Sequence, residues 1–434
     1  MFLSRSLAGV EDPDDLEAVD DGSGAAAEKG SEADAGERKA LWSQLKGALG
    51  ADVMSLFSVP VFIMEPISML QKMAEIMQAA KLLDLAADEE DPEVRLALVC
   101  ALAISCYSSV ERTKKPFNPI LGETWEGVLP EVGARYVAEQ VSHHPPIAAG
   151  HAESDKWTYE ITSMAKTKFM GNWVDVWPMG RTRICLKRTG DMYNICPPMS
   201  RANNILVGRT WVDTFGEMQV NNLTTGAKAL IKFKECNMFG TGRYEVAGDI
   251  VGADGEAKYH LKGHWNKSVS ITKAGGAGGA ERTLWTVDPM PEDGGGKYGF
   301  TSFLRRMNGA ESCPPGLLAS DSRLRPDRVA LEAEKSAEAG AAKHALEEMQ
   351  RAERKRREER GDSWTPRWFK LAEEADLHEL EQDVGTAVWE WNGEYNAYSA
   401  ERAKNPEANP LDTVFNPWQY EETAKEAAPA GSED

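Results

Sequence analysis

The chain has 434 residues, 42% of them hydrophobic, and a formal net charge of −20, so length admits one large domain or two to three average ones. The negative charge argues against a nucleic-acid partner, since a phosphate backbone is repelled unless a local basic patch overrides the total. No stretch approaches the roughly 18 to 20 uninterrupted apolar residues of a membrane span, and the start MFLSRSLAGVEDPDD is too short in apolar residues for a secretory signal. Six cysteines lie far apart with no CxxC pair, which reads as reduced thiols of a cytoplasmic protein.

Residues 11 to 39 are rich in Asp, Glu, Gly, Ala and Ser and cannot bury enough surface to offset ordering entropy, so residues 1–39 are expected to be a disordered acidic segment. Residues 40–59 follow as an amphipathic lid, in which Leu41, Leu45 and Leu49 recur at helical spacing beside Trp42. That pattern equally describes an ordinary helix packed on a core. Phe62 to Lys81 and Pro92 to Val110 read as buried helices. Between Thr124 and Trp285, short β-branched and aromatic runs such as ARYVAEQV, KWTYEITSMA and ALIKFKE alternate with Gly, Asn, Asp or Pro, the mark of an antiparallel barrel or sandwich. After Pro326 the chain turns helical for about 30 residues with Asp327 placed to cap the start. AVWEWNGEYNAY is expected to be a last packed element of a domain spanning 60–400, before a polar tail over 401–434.

The stretch EQVSHHPPIAAG sets His143 and His144 before two prolines. Neighbouring strand residues point to opposite faces, so both imidazoles serve one ligand only where a strand ends, and prolines end it. Two imidazoles suit an anionic phosphate ester, although an arbitrary His-His pair reads first as part of a surface turn. Lys343, Glu347 and Arg351 sit at i, i+4 and i+8 and share one helical stripe, which on helix statistics is a solvated face of ion pairs. The basic run Arg354 to Arg357 is a soluble face or a contact for anionic headgroups. His260 and His264, four residues apart on a strand, are too distant to share a metal ion. HExxH, G-x-S-x-G and GxxxxGK[ST] are absent, so neither a metal site, a cofactor nor a catalytic constellation is expected.

EQVSHHPP, with KPFNPILGETWEG, EPISMLQKMAE, WVDTFGEMQVNN, SDSRLRPDRVALE and KHALEEMQR in order over roughly residues 40 to 395, resembles the oxysterol-binding protein family. The resemblance implies a mainly β fold with flanking helices: a large, nearly closed antiparallel barrel around an apolar tunnel with an N-terminal lid. It also implies that Lys115, Asn118, His143, His144, Lys343, Glu347 and Arg351 grip a phosphoinositide headgroup, chiefly phosphatidylinositol 4-phosphate. Two departures are Leu318 and Ala319, where relatives carry a proline pair, and an FT-containing strand that ends in RRMNG.

The function implied is lipid transfer by a monomer in transient peripheral contact with organelle membranes. Drawing a two-chain lipid through water exposes some 30 methylenes at ~0.8 kcal/mol each, a barrier on the order of 25 kcal/mol and a wait of days. A tunnel shared by sterol and phosphatidylinositol 4-phosphate removes that barrier. The rivals are a lipid sensor or scaffold, phosphatidylserine as second ligand in place of sterol, and a phosphoinositide phosphatase, which would need a nucleophile that the sequence does not display.

Overall fold

A computed structural model of the chain describes residues 49–52, 59–404 except 238, 276–279 and 315, and 416–418. Within them the helices are α1 (Met69–Ala74), α2 (Lys81–Asp88), α3 (Pro92–Ser105), α4 (Ser302–Met307), α5 (Pro326–Glu332), α6 (Ser336–Arg360), α7 (Glu379–Gln382) and α8 (Glu394–Lys404). A short parallel pair is formed by β1 (Met64–Ser68) and β2 (Lys115–Phe117). The main sheet begins with β3 (Thr124–Leu129), β4 (Ala134–His143), β5 (Pro146–Glu153), β6 (Trp157–Phe169), β7 (Trp173–Met179), β8 (Thr182–Leu186) and β9 (Met192–Cys196). It continues through β10 (Met199–Asn203), β11 (Trp211–Asn222), β12 (Lys228–Phe233), β13 (Glu245–Val251), β14 (Ala257–His264), β15 (Ser268–Lys273) and β16 (Arg282–Thr286). The pair β17 (Phe369–Leu371) and β18 (Trp389–Trp391) completes the set.

The main sheet has 14 strands, its path running from β16 to β3 with β8 and β9 branching off it. Its pairings are antiparallel, and β3 and β16 are not hydrogen-bonded to each other. Alternation decides its faces: on β12 Ala229, Ile231 and Phe233 point into one large apolar cluster while Lys228, Leu230 and Lys232 face out. α3 lies within that cluster. Its entry is fixed by Asp91, whose side chain accepts the N–H groups of Glu93 and Val94, and by Pro92 in the first turn. Twelve of its fourteen residues are buried, and it packs on β11 to β14 and β16. Pro92–Glu111, though not an uninterrupted apolar run, is long and apolar enough by length and composition to cross a bilayer, and its apolar surface is spent on the core.

Several sequence expectations are corrected. The segment from Phe62 is not helical throughout: Met64–Ser68 is a strand, because Pro66 cannot donate and holds Glu65 extended, and α1 starts after a Ser68–Gln71 capping box. The late helix is two helices, separated where Glu334 takes φ 60°. Asp327 does not cap it. The cap position is Arg325, and the Asp327 carboxylate accepts from the Arg325 guanidinium at 2.7 and 2.9 Å. The FT segment forms α4, capped by Thr301 accepting from Leu304 N–H. Of the lid residues, Leu41, Trp42 and Leu45 lie outside the described residues, and Leu49 occupies a turn, 64% exposed.

The packed domain also passes residue 400. α8 reaches Lys404, and Trp418 packs against Ile120 and Leu346 while donating to the Ala319 carbonyl at 2.7 Å. Trp368, Phe369, Tyr395 and Tyr398 cover Val137, Val141, Ile147 and Ala149 on the outer face of β4 and β5, together with Leu318. Beneath them Glu126 accepts both Arg402 terminal nitrogens at 2.8 Å, plus the Tyr395 hydroxyl. Among the described residues no other ion pair reaches this enclosed carboxylate. Arg402→Met is therefore expected to destabilise the fold by about 3–5 kcal/mol, read as a lowered midpoint in urea unfolding.

Candidate functional site

β4 and β5 form a tight hairpin in which His143 faces Pro146 and the turn is His144–Pro145, with a cis peptide bond. The imidazoles therefore project from the end of a strand, as their spacing before two prolines suggests. Their centroids are 5.0 Å apart, edge to face. His143 is half-buried and its Nδ1 has no hydrogen-bond partner, while His144 is exposed.

Register carries this end of the hairpin along the sheet. Ala148 faces Ser163, so the end of β6 at Phe169 lies on the same rim. Trp173 pairs with Asn203, and Asn203 with Trp211. Part of the 40–59 segment expected to form the lid is fastened to this rim: Gly50 N–H donates to the Phe169 carbonyl at 2.7 Å, and Phe169 N–H to the Ala51 carbonyl at 3.0 Å.

The KPFNP block approaches from the other side. Met64 faces Lys115 across the β1–β2 pair, and Phe117 is fully buried against Met64, Leu331 and Ala339. Beyond it the chain is held by α6, since Ile120 packs on Leu346 and Leu121 N–H donates to Gln350 Oε1 at 3.2 Å. Underneath lies Arg325, fully enclosed, which donates to the Asn118 carbonyl and to Glu123, both at 2.8 Å. Its guanidinium lies 5.0 Å from the Phe117 ring centroid.

On α6, Lys343 is buried and pairs with Glu347 at 2.5 Å. Arg351 is exposed and pairs with Glu348, so it stands apart from that ion pair. Eight residues separate Lys343 from Arg351, about 12 Å along the axis, so the stripe is longer than one phosphate group. The structure thus gathers Lys115 with Lys343 and Glu347, and His143 with His144. Asn118 enters through its backbone, its residue exposed.

The electrostatics are those of a site short of anions. Burial, with the Lys343 charge, pushes the Lys115 ammonium down to about 8. Burial, followed by His144 and the charges of Arg325 and Arg354, pushes His143 down to about 4. His144 is lowered in the same direction by burial and Arg354. Sequence reasoning missed Arg325, and it met Arg354 only as the start of a basic run that is a soluble face or a contact for anionic headgroups. Arg354 follows Lys343 by eleven residues and so returns to within about 20° of it on the helix. Arg325 carried no spacing signal at all, being placed by tertiary packing.

The protein-family model described as Oxysterol-binding protein matches residues 40–400. The chain belongs to the oxysterol-binding protein family. Among its relatives in Arabidopsis thaliana, oxysterol-binding protein-related protein 3B is 44% identical over 89% of this chain and 84% of its own length. Related protein 3C is 43% identical over 96% and 93%. The solved structure of the Osh1 ORD domain in complex with cholesterol matches with a TM-score of 0.73 at 35% identity, covering 83% of this chain and 88% of that one. The Osh3 ORD in complex with PI(4)P from Saccharomyces cerevisiae matches at 0.70 and 28%, covering 85% and 94%. The large antiparallel sheet with flanking helices is thus the fold of this oxysterol-binding family member.

A histidine NMR titration of the ligand-free protein is expected to give His143 a midpoint near 4 and His144 one below 6.5. Arg354→Ala, on an exposed position, should move the His144 midpoint upward by removing a like charge.

Proposed function

We propose that this family member is an intracellular lipid carrier that holds one lipid, a sterol or phosphatidylinositol 4-phosphate, in a lidded tunnel and exchanges it between membranes. It acts in the cytoplasm as a monomer, touching organelle membranes transiently. The carrying observation is the cationic rim, where the Lys115 ammonium and the His143 imidazole are both held below their ordinary proton affinity by burial and by neighbouring positive charge. A phosphoinositide headgroup at that place reverses both penalties, its phosphate monoester offering acceptors to Lys115, His143, His144 and Lys343 while Glu347 orients Lys343, and Arg351, about 12 Å farther along α6, meets another part of the headgroup. Similar solved domains hold cholesterol, ergosterol and PI(4)P, which supports one cavity shared by two ligands. The lid is assigned to residues 40–59, of which Gly50 and Ala51 are fastened to the same rim. Binding is the role assigned to the histidines, in keeping with a family described as oxysterol-binding.

Extraction from liposomes tests the assignment. His143→Ala with His144→Ala should lose uptake of phosphatidylinositol 4-phosphate by tenfold or more, on the order expected for two charge-assisted hydrogen bonds, and keep sterol uptake. Undiminished phosphoinositide extraction by the double variant would show the headgroup residues to be wrong.

The pH dependence has a definite sign. Lys115 titrates near 8 when free, and bound phosphate raises that value, so binding takes up a proton above pH 8. Affinity should then fall as pH rises through 8 toward the bound value, by at most about tenfold per unit. Lys115→Arg keeps the charge and should flatten the profile there. Isothermal titration with a short-chain phosphatidylinositol 4-phosphate at pH 7 to 9 reads both.

A further inference from the structure

α6 meets the loop that carries Lys115 along one stripe. Lys343, Leu346 and Gln350 recur at i, i+3 and i+7 and so share a face of the helix. Two apolar contacts bracket the charges on that face: Phe117 packs with Ala339 at one end, and Ile120 with Leu346 at the other, where Leu121 N–H also donates to Gln350 Oε1. Between the two ends stand two ammonium groups. Burial first and then the Lys343 charge depress Lys115, with Arg325 acting in the same direction and Glu347 against it. The stripe therefore closes over a repulsion, and the contacts at its ends set its spacing.

The two ends are enclosed differently. Phe117 and Ala339 are fully buried within the domain. The Ile120 end is covered by Met349 and by Trp418, both half-buried, and Trp418 lies beyond α8, which ends at Lys404. Two hydrogen bonds orient Trp418: its backbone N–H donates to Asn416 Oδ1 at 2.9 Å, and its Nε1–H to the Ala319 carbonyl at 2.7 Å. The residue after Ala319 is tied to β3 twice, since the Ser320 carbonyl accepts the Thr124 N–H at 2.9 Å and the two hydroxyls bond at 2.8 Å. One side chain, apolar on its faces and a donor at its rim, thus joins α6, the Lys115 loop and the first strand of the sheet.

We infer that Trp418 is a positioning residue for the phosphoinositide headgroup, clipping α6 to the Lys115 loop so that Lys115 and Lys343 stay within reach of one phosphate. The inference rests on the headgroup reading given above and deepens it: phosphate recognition depends on the tail, and sterol holding does not. Trp418 acts through its neighbours, through Leu346, which adjoins Glu347, and through Ile120, which lies between Asn118 and Glu123. Without the clip the stripe opens at its less enclosed end, and the two ammonium groups separate under their own repulsion. A tryptophan that merely filled space would weaken both lipids alike and leave the proton affinity of Lys115 where it is.

Two readouts on the full chain test it. In the ligand-free protein, NMR of carbon-labelled lysines, with the Lys115 signal assigned by its loss in Lys115→Arg, follows a group that titrates near 8. Trp418→Ala should raise that midpoint toward the ordinary lysine value, because burial and the Lys343 charge both recede. In extraction from liposomes the same variant should lose uptake of phosphatidylinositol 4-phosphate about three- to tenfold and keep sterol uptake. Trp418→Phe keeps a ring on Ile120 and Leu346, gives up only the bond to Ala319, and should recover most of both. If Trp418→Ala loses sterol uptake as well, Met349→Ala decides, since it removes the α6 side of the contact and should shift Lys115 in the same direction by less. An unmoved Lys115 midpoint in the deciding variant overturns the clip, and a raised midpoint with undiminished phosphoinositide uptake overturns its role in headgroup binding. Failure of the wild-type protein to take up phosphoinositide overturns the headgroup reading itself, and is seen without any variant.

Discussion

The candidate headgroup site depends on one enclosed guanidinium. Arg325 is held by Glu123 and Asp327, and from there it reaches the Asn118 carbonyl. An arginine in this position fixes the direction of three chain segments at once, because its planar fork makes each hydrogen bond at a set angle. Glu123 also accepts the Ser322 hydroxyl and the Ile120 N–H, so the loop carrying Lys115 and Asn118 is tied to the start of α5. That rigidity keeps positive groups close together in the absence of an anion.

The same device recurs farther along the sheet. Asp321 is bound by Arg323 and by the Glu126 N–H, and Glu126 in turn is bound by Arg402 and Tyr395. Glu139 accepts the backbone N–H groups of Arg367 and Trp368, yet burial still pushes its carboxyl up to about 7. Buried carboxylates on β3 and β4 thus attach the late chain to the sheet, each through its own arginine or pair of backbone N–H groups. Ion pairs so enclosed set geometry more than they add stability, since desolvation offsets much of their attraction.

How far the sequence could be read follows from which forces are local. Strand alternation on β12 and the proline-ended hairpin at His143 are short-range patterns, and both are legible in the residue string. Met64–Ser68 was not, because Met-Glu-Pro-Ile-Ser shows no strand alternation of its own and is fixed as a strand by a partner 51 positions away. The break at Glu334 was hidden for a related reason: a helix-favouring composition runs through it, and packing of α5 against β1 decides the turn. Among the site residues, the i, i+4 pairing of Lys343 with Glu347 follows from helix geometry, whereas the departure of Arg351 toward Glu348 depends on side-chain choice.

The enclosure of α3 bears on how this chain must be made. Its apolar surface is covered by β11 to β14 and β16, the last of which ends at Thr286. Synthesis runs from the N-terminus at roughly 5–20 residues per second, so on the order of ten to thirty seconds pass between the emergence of α3 and that of its last covering strand. Throughout that interval the growing chain displays a segment with the length and composition of a bilayer span. The order of the elements, with α3 ahead of every strand that covers it, therefore leaves its apolar surface uncovered until the last of those strands has been made.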